Sequence, residues 1–206
     1  MKKNVIFLAA LAGLLLLPAC IPSIHPLYTP DTLIFEAALL GVWKEPGTQV
    51  NKETWIFQKQ EKGMYYLTHI DGSGRVGGLE VGMVRLGKHL FLDFYPDNDE
   101  KKIKENLKKL GMESPEPCEL NDMLGFHLRP MHTFARIELN QGTLNIHMLG
   151  SDWLHKMFKE RKIRIDHEQT EGEAFVLTAF SEELQKFLTK YGEESRAYAE
   201  VIGLIR

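Results

Sequence analysis

Between Thr54 and Pro96 the chain is cut into runs too short for helices: TWIFQKQ (54–60), GMYYLTHID (63–71), GLEVGMVRLG (78–87) and KHLFLDFYP (88–96). Each is rich in β-branched and aromatic residues, and Gly-rich or charged turns separate them, which marks strands joined by short connections. In the last run Leu90, Leu92 and Phe94 alternate with Phe91, Asp93 and Tyr95, the two-residue period of a half-buried strand. Leu86-Gly87-Lys88-His89 reads as a tight hairpin, so four antiparallel strands form a meander. Such a sheet has an apolar face that must be buried, either under a second layer or by curling the sheet on itself.

The rest of the chain supplies strands and a few helices. DNDEKKIKENLKKLG places Ile103, Leu107 and Leu110 on one helical stripe, with acids first, lysines last and Gly111 as a stop. Its lysines over 101–109 offer charge to anionic head groups or simply to solvent, the solvated face being the commoner outcome. The loop ESPEPCELND leads into FHLRPMHTFARIEL (126–139), where Pro130 demands an edge, a bend or a break. Asn140-Gln141-Gly142 then turns the chain into TLNIHMLG (143–150). Two segments close the sequence with one grammar: TLNIHMLG into SDWLHKMFKERK, and AFVLTAF into SEELQKFLTKYG, with KIRIDHE between them. Ser151 and Ser181 are expected as N-caps of amphipathic helices. About eight strands and three short helices predict a mainly β fold with α (α+β), a curled antiparallel sheet with helices at its flank. Residues 39–206 are read as one domain.

The first 38 residues have a different character. Lys2 and Lys3 precede an apolar run from Val5 to Leu17, the charged and apolar regions of a secretory signal over residues 1–19. Leu17-Pro18-Ala19-Cys20 resembles the lipobox of bacterial lipoproteins, although Pro18 departs from the usual small residues. The resemblance implies cleavage before Cys20, diacylglyceryl attachment to its sulfur and acylation of the new N-terminus. Two or more acyl chains give a stable membrane anchor where one is marginal. Ile21 stands where an Asp would hold an enterobacterial lipoprotein at the inner membrane, so the implied location is the outer membrane, facing the periplasm. IPSIHPLYTPD (21–31) carries prolines every four residues and is expected to be extended, part of a tether over 20–38.

Cleavage would leave 187 residues with 23 basic against 28 acidic side chains, a formal charge of −5, which gives no reason to expect nucleic acid. Cys118 would be the sole thiol apart from Cys20, so no internal disulfide is expected.

Gly41-Val42-Trp43 resembles the Gly-x-Trp signature of lipocalins, in which the Trp packs across the closed base of an eight-stranded barrel. That family pairs the Trp with an Arg from a late strand, and Arg164 is the candidate here. A lipocalin-like barrel would hold a small apolar ligand against inward positions, which the sequence nominates as Trp55, Phe57, Tyr65, Leu67, Phe91 and Tyr95. The stretches HPLYTPDTL, LLGVW and LTAFSEELQKFL extend the resemblance to bacterial lipoproteins along much of the chain, and they bring no activity with them.

Other motifs dissolve on inspection. Gly72-Ser73-Gly74-Arg75-Val76-Gly77 matches a dinucleotide fingerprint, but strand composition follows where the mechanism needs a helix, and Asp71-Gly72 marks a hairpin. The eight histidines lack the HExxH spacing, and a His127–His132–His147 cluster would require a sharp bend at Pro130. Neither a nucleophile elbow nor a paired set of carboxylates appears, so no catalytic residue, cofactor or metal is expected. Two functions remain open: a lipid-anchored carrier of a small apolar ligand, and a structural or assembly lipoprotein that meets an envelope protein through its surface.

Overall fold

The computed structural model describes residues 21–47, 52–97, 99–109, 111–112, 130–169 and 175–206. Eight strands close into an antiparallel barrel: β1 (Gly41–Lys44), β2 (Thr54–Lys59), β3 (Tyr65–Ile70), β4 (Val76–Leu86), β5 (His89–Pro96), β6 (Thr133–Asn140), β7 (Thr143–Leu149) and β10 (Tyr198–Ile205). The first seven neighbour one another in sequence order, and β10 fits between β7 and β1 to complete the ring. The expected mainly β architecture is therefore present, as the closed and lipocalin-like form of it.

The turns that set the register are those the sequence marks. Leu86 pairs with His89 across a two-residue turn in which Gly87 has φ +58°, a conformation that favours glycine. Between β3 and β4 the Asp71 carboxylate accepts from the backbone N–H groups of Ser73 and Arg75, and Gly74 has φ +82°. The glycine-rich stretch is thus a hairpin, and β4 follows it as an eleven-residue strand.

Helix α1 (Glu100–Lys109) buries Leu107 and ends at Gly111, whose φ of +68° lets Met112 N–H reach the Leu107 carbonyl. Helices α2 (Ser151–Lys159) and α3 (Ser181–Tyr191) lie outside the barrel, with a two-stranded ribbon of β8 (His167–Gln169) and β9 (Phe175–Leu177). Neither serine caps its helix through the side chain. Gly150 and Phe180 occupy the cap positions, and Ser181 Oγ instead donates to the Pro26 carbonyl at 2.7 Å.

Two apolar cores result from the pleat. The inner one fills the barrel with Trp43, Phe57, Tyr65, Met83, Leu92, Ile146 and their neighbours. The outer one joins the opposite faces of β4, β5 and β6 to the helices through Val84, Phe91, Phe134, Leu154, Leu184 and Leu188.

The segment expected as a tether is extended, as its prolines require, but it is laid against the barrel. Ile21 is 5% exposed and Leu27 is fully buried. Ser23 bridges His132 on one side and Leu177 on the other, and Leu33 bridges Val84. Tyr28 lies over Gly82, where a Cβ would fall 2.5 Å from the ring. A proline-rich chain lacks donors for its own secondary structure but keeps carbonyls, and those of Pro26 and Leu27 are taken by Ser181 and Gln185 of α3. Residues 21–35 are a strap, clamped between barrel and helix.

Candidate functional site

Four of the six nominated lumen residues face inward together: Trp55, Phe57, Tyr65 and Leu67. The three aromatic rings among them are neighbours, with Trp55 at 6.2 Å from Phe57 and edge-on to Phe94 at 5.8 Å, and Phe57 edge-on to Tyr65 at 6.4 Å. Phe91 and Tyr95 do not join them. On β5 the inward set is Leu92 and Phe94 with Leu90 packed alongside, so Phe91 points into the outer core and Tyr95 packs against His132 with its ring tilted. The alternation in KHLFLDFYP is real. What misleads is assigning the inner face to the larger rings, because the outer face of β5 is also covered, by α3 and the strap.

The lumen is filled by its own walls. Trp43, Phe57, Tyr65, Leu67, Met83, Leu92 and Ile146 each retain at most 1% of their surface. A chamber wide enough for water would leave accessible area on the side chains around it, and these have essentially none. Tyr65 also seals one side: its hydroxyl accepts from Glu36 N–H at 2.6 Å and donates to the Glu36 carbonyl.

Trp43 of the Gly-x-Trp stretch sits at the base, 1% exposed, with Nε1 donating to the Leu39 carbonyl at 2.8 Å. Its cationic partner is Arg206 at the end of β10, not Arg164. The guanidinium lies 4.7 Å over the Trp43 ring and donates to the carbonyls of Ala38 and Leu40 at 2.6 and 2.7 Å. Arg164 is exposed on the far side of the helical layer. Sequence reading passes over AYAEVIGLIR because Ala, Glu and Gly interrupt its apolar alternation. The strand is defined by the gap it fills between β1 and β7.

Two polar clusters lie under the outer layer. Asp93, 1% exposed, meets His132 Nδ1 at 2.8 Å and accepts the Leu27 N–H at 2.7 Å. Burial pushes its carboxyl up from the ordinary range, against the two hydrogen bonds, which pull it down. His132 therefore serves the strap. His147 lies in another cluster, and His127 falls outside the described residues. In that second cluster Arg136 Nη1 caps the end of α3 at the Gly192 carbonyl (2.7 Å) and its guanidinium sits 4.6 Å from the Tyr198 ring. Burial and the nearby Arg136 hold both His89 and His147 below the usual imidazole range. Among the described residues no group of three or more His, Cys, Asp or Glu is placed to hold a metal, and Cys20 and Cys118 lie outside them.

A sizeable concavity lies on the outside. A cleft of about 710 Å3 opens between α2, the connection after it and the β8–β9 ribbon. Its floor is aromatic: Phe158 stacks on His167 at 3.7 Å, and Phe175 stands edge-on to His155 at 4.4 Å. Its rim is cationic, with Lys156, Lys159, Arg161 and Arg164, and among the described residues no carboxylate lines it. Comparison with protein-family models, with curated proteins and with solved structures returns no match. The chemistry must come from these surfaces.

Proposed function

We propose that the protein is a lipid-anchored module of the cell envelope, held by Cys20 at the outer membrane and facing the periplasm. In this reading the barrel is a filled scaffold and the outer surface does the work, without catalysis. One observation carries the choice of surface over lumen: the inward-facing side chains of Trp43, Phe57, Tyr65, Leu67, Met83, Leu92 and Ile146 keep at most 1% of their area, and Trp55, Phe94 and Ile137 beside them are buried too. A carrier of an apolar ligand needs a chamber of several hundred cubic ångströms. A concave surface of that size lies in the outer helical layer. The anchor is supported by the lipobox-like Leu17-Pro18-Ala19-Cys20 and the apolar run before it.

Native mass spectrometry of residues 21–206, purified from the periplasm, tests the scaffold reading. The bare protein mass is expected. A reproducible excess mass, lost on denaturation and recovered in organic extract, would establish a ligand carrier instead. Separately, the intact mass of the full chain expressed in bacteria should show an acylated Cys20, and Cys20→Ala should abolish the acyl mass.

A further inference from the structure

We propose that the cationic cleft on α2 and the β8–β9 ribbon is a docking surface for the anionic phosphate head groups of the bilayer.

The first observation is register. Residues 21–24 run parallel to β9: Ser23 bridges Leu177, Leu177 N–H donates to the Pro22 carbonyl, and Ile24 N–H donates to the Leu177 carbonyl. Counting back two residues on each chain sets Ile21 level with Phe175, and Phe175 lines the cleft. With Ile21 packed at 5% exposure, the fold leaves no spacer between its wall and the preceding residue. An anchor at Cys20 would emerge beside the cleft, so this orientation rests on the lipid-anchor reading given above.

The second observation is charge without local compensation. Lys159, Arg161 and Arg164 are exposed, and their side chains make no hydrogen bond or ion pair within the described residues, whereas Glu160 is occupied by Lys162 at 2.6 Å. Arg164 also borders a neighbouring hollow of about 230 Å3 that carries Lys186 and Lys190 against a single carboxylate, Glu183, so the positive excess continues there. Arg161 has φ +53° at the end of α2, a backbone position that favours glycine, and it carries a long cation there instead. On α1, Lys102 and Lys104 are matched locally, to Asp97 and Glu100, while Lys108 and Lys109 are exposed like the cleft cations but lie on a different element. What distinguishes the cleft is that its unpaired cations surround an aromatic floor beside the anchor point. Phosphate groups would meet the rim cations while the ring floor takes the apolar boundary of the head-group layer.

The test uses the chain without its lipid, so it does not depend on the anchor. Residues 21–206 should co-sediment with phosphatidylglycerol–phosphatidylcholine vesicles and not with phosphatidylcholine alone, and added salt should release them. The double variant R161Q/R164Q should bind about 25-fold more weakly, at about fivefold per cation removed, with its thermal midpoint unchanged. K108Q/K109Q on α1 should bind as the parent does. Three outcomes overturn the proposal: no vesicle binding by the parent chain, equal binding to both vesicle types, or unweakened binding by R161Q/R164Q. Displacement from vesicles by inorganic phosphate at constant ionic strength would also overturn it, in favour of a small-anion site. If the vesicle assay succeeds while Cys20 carries no acyl mass, the anchor reading alone fails.

Discussion

At the scale of single residues, the groups that matter most are polar ones enclosed by apolar surroundings. Asp93 shares a face of β5 with Phe91 and Tyr95, and as a carboxylate at 1% exposure it is the exception in that apolar company. It is tolerated there because His132 and the Leu27 N–H both engage it. Asp93→Ala leaves both partners without an acceptor and should cost about 3 kcal/mol, read as a fall in the urea midpoint of residues 21–206. Glu53 behaves in the opposite sense from Asp93. Its carboxylate receives His69 Nε2 at 2.7 Å and Trp55 Nε1 at 2.8 Å, and the hydrogen bond from His69, with that from Trp55, holds it below the ordinary Glu range. A lowered folded value means that its stabilisation is complete above the unfolded Glu value and is lost as pH falls through the folded one. Glu53→Gln should therefore cost about 1 kcal/mol near neutral pH. The gap between parent and variant should close on acidification in a series of thermal melts. A gap independent of pH would assign the effect to packing.

Among the elements, the strap shows how far local chemistry reaches before packing takes over. The prolines of IPSIHPLYTPD do prevent a helix and do give an extended chain. Nothing in them says whether that chain runs free or lies in a groove. The groove exists because Gly82 lacks a Cβ beneath Tyr28 and because α3 presents Ser181 and Gln185 to the strap carbonyls. Gly82→Val should lift Tyr28 off β4 and expose residues 21–35 to limited proteolysis at a protease level the parent withstands. A parent-like digestion pattern would mean that the Pro26 and Leu27 contacts suffice alone. The serines illustrate the same limit. Their position at the helix start is legible in sequence, but the partner of Ser181 is 155 residues away.

For the whole molecule, closure is the decisive event, and it is made by the last strand. Arg206 ties the end of β10 to the Ala38–Leu40 turn and covers Trp43, so it fastens the terminus across the barrel base. Arg206→Ala should lower stability by about 2 kcal/mol and increase hydrogen exchange in β1 and β10 ahead of β4 and β5. Arg206→Lys should recover only part, since an ammonium cannot both stack on the ring and serve two carbonyls in a plane. Read along the chain, periodicity and turn chemistry determined the six consecutive strands β2 to β7, the hairpin at Gly87, α1 with its Gly111 stop, and the mainly β class, because these depend on contacts between near neighbours. Sequence also nominated Trp43 as a base residue and Trp55, Phe57, Tyr65 and Leu67 as inward ones. Only the tertiary structure decided that Phe91 and Tyr95 face outward, that Arg206 rather than Arg164 meets Trp43, that the strap is clamped and that the cationic cleft opens on the outer layer. Each of these depends on which surface covers the second face of a strand, or on two segments more than a hundred residues apart. Such long-range pairing is set by the closing of the barrel and the packing of the helices on it, and no local pattern encodes it.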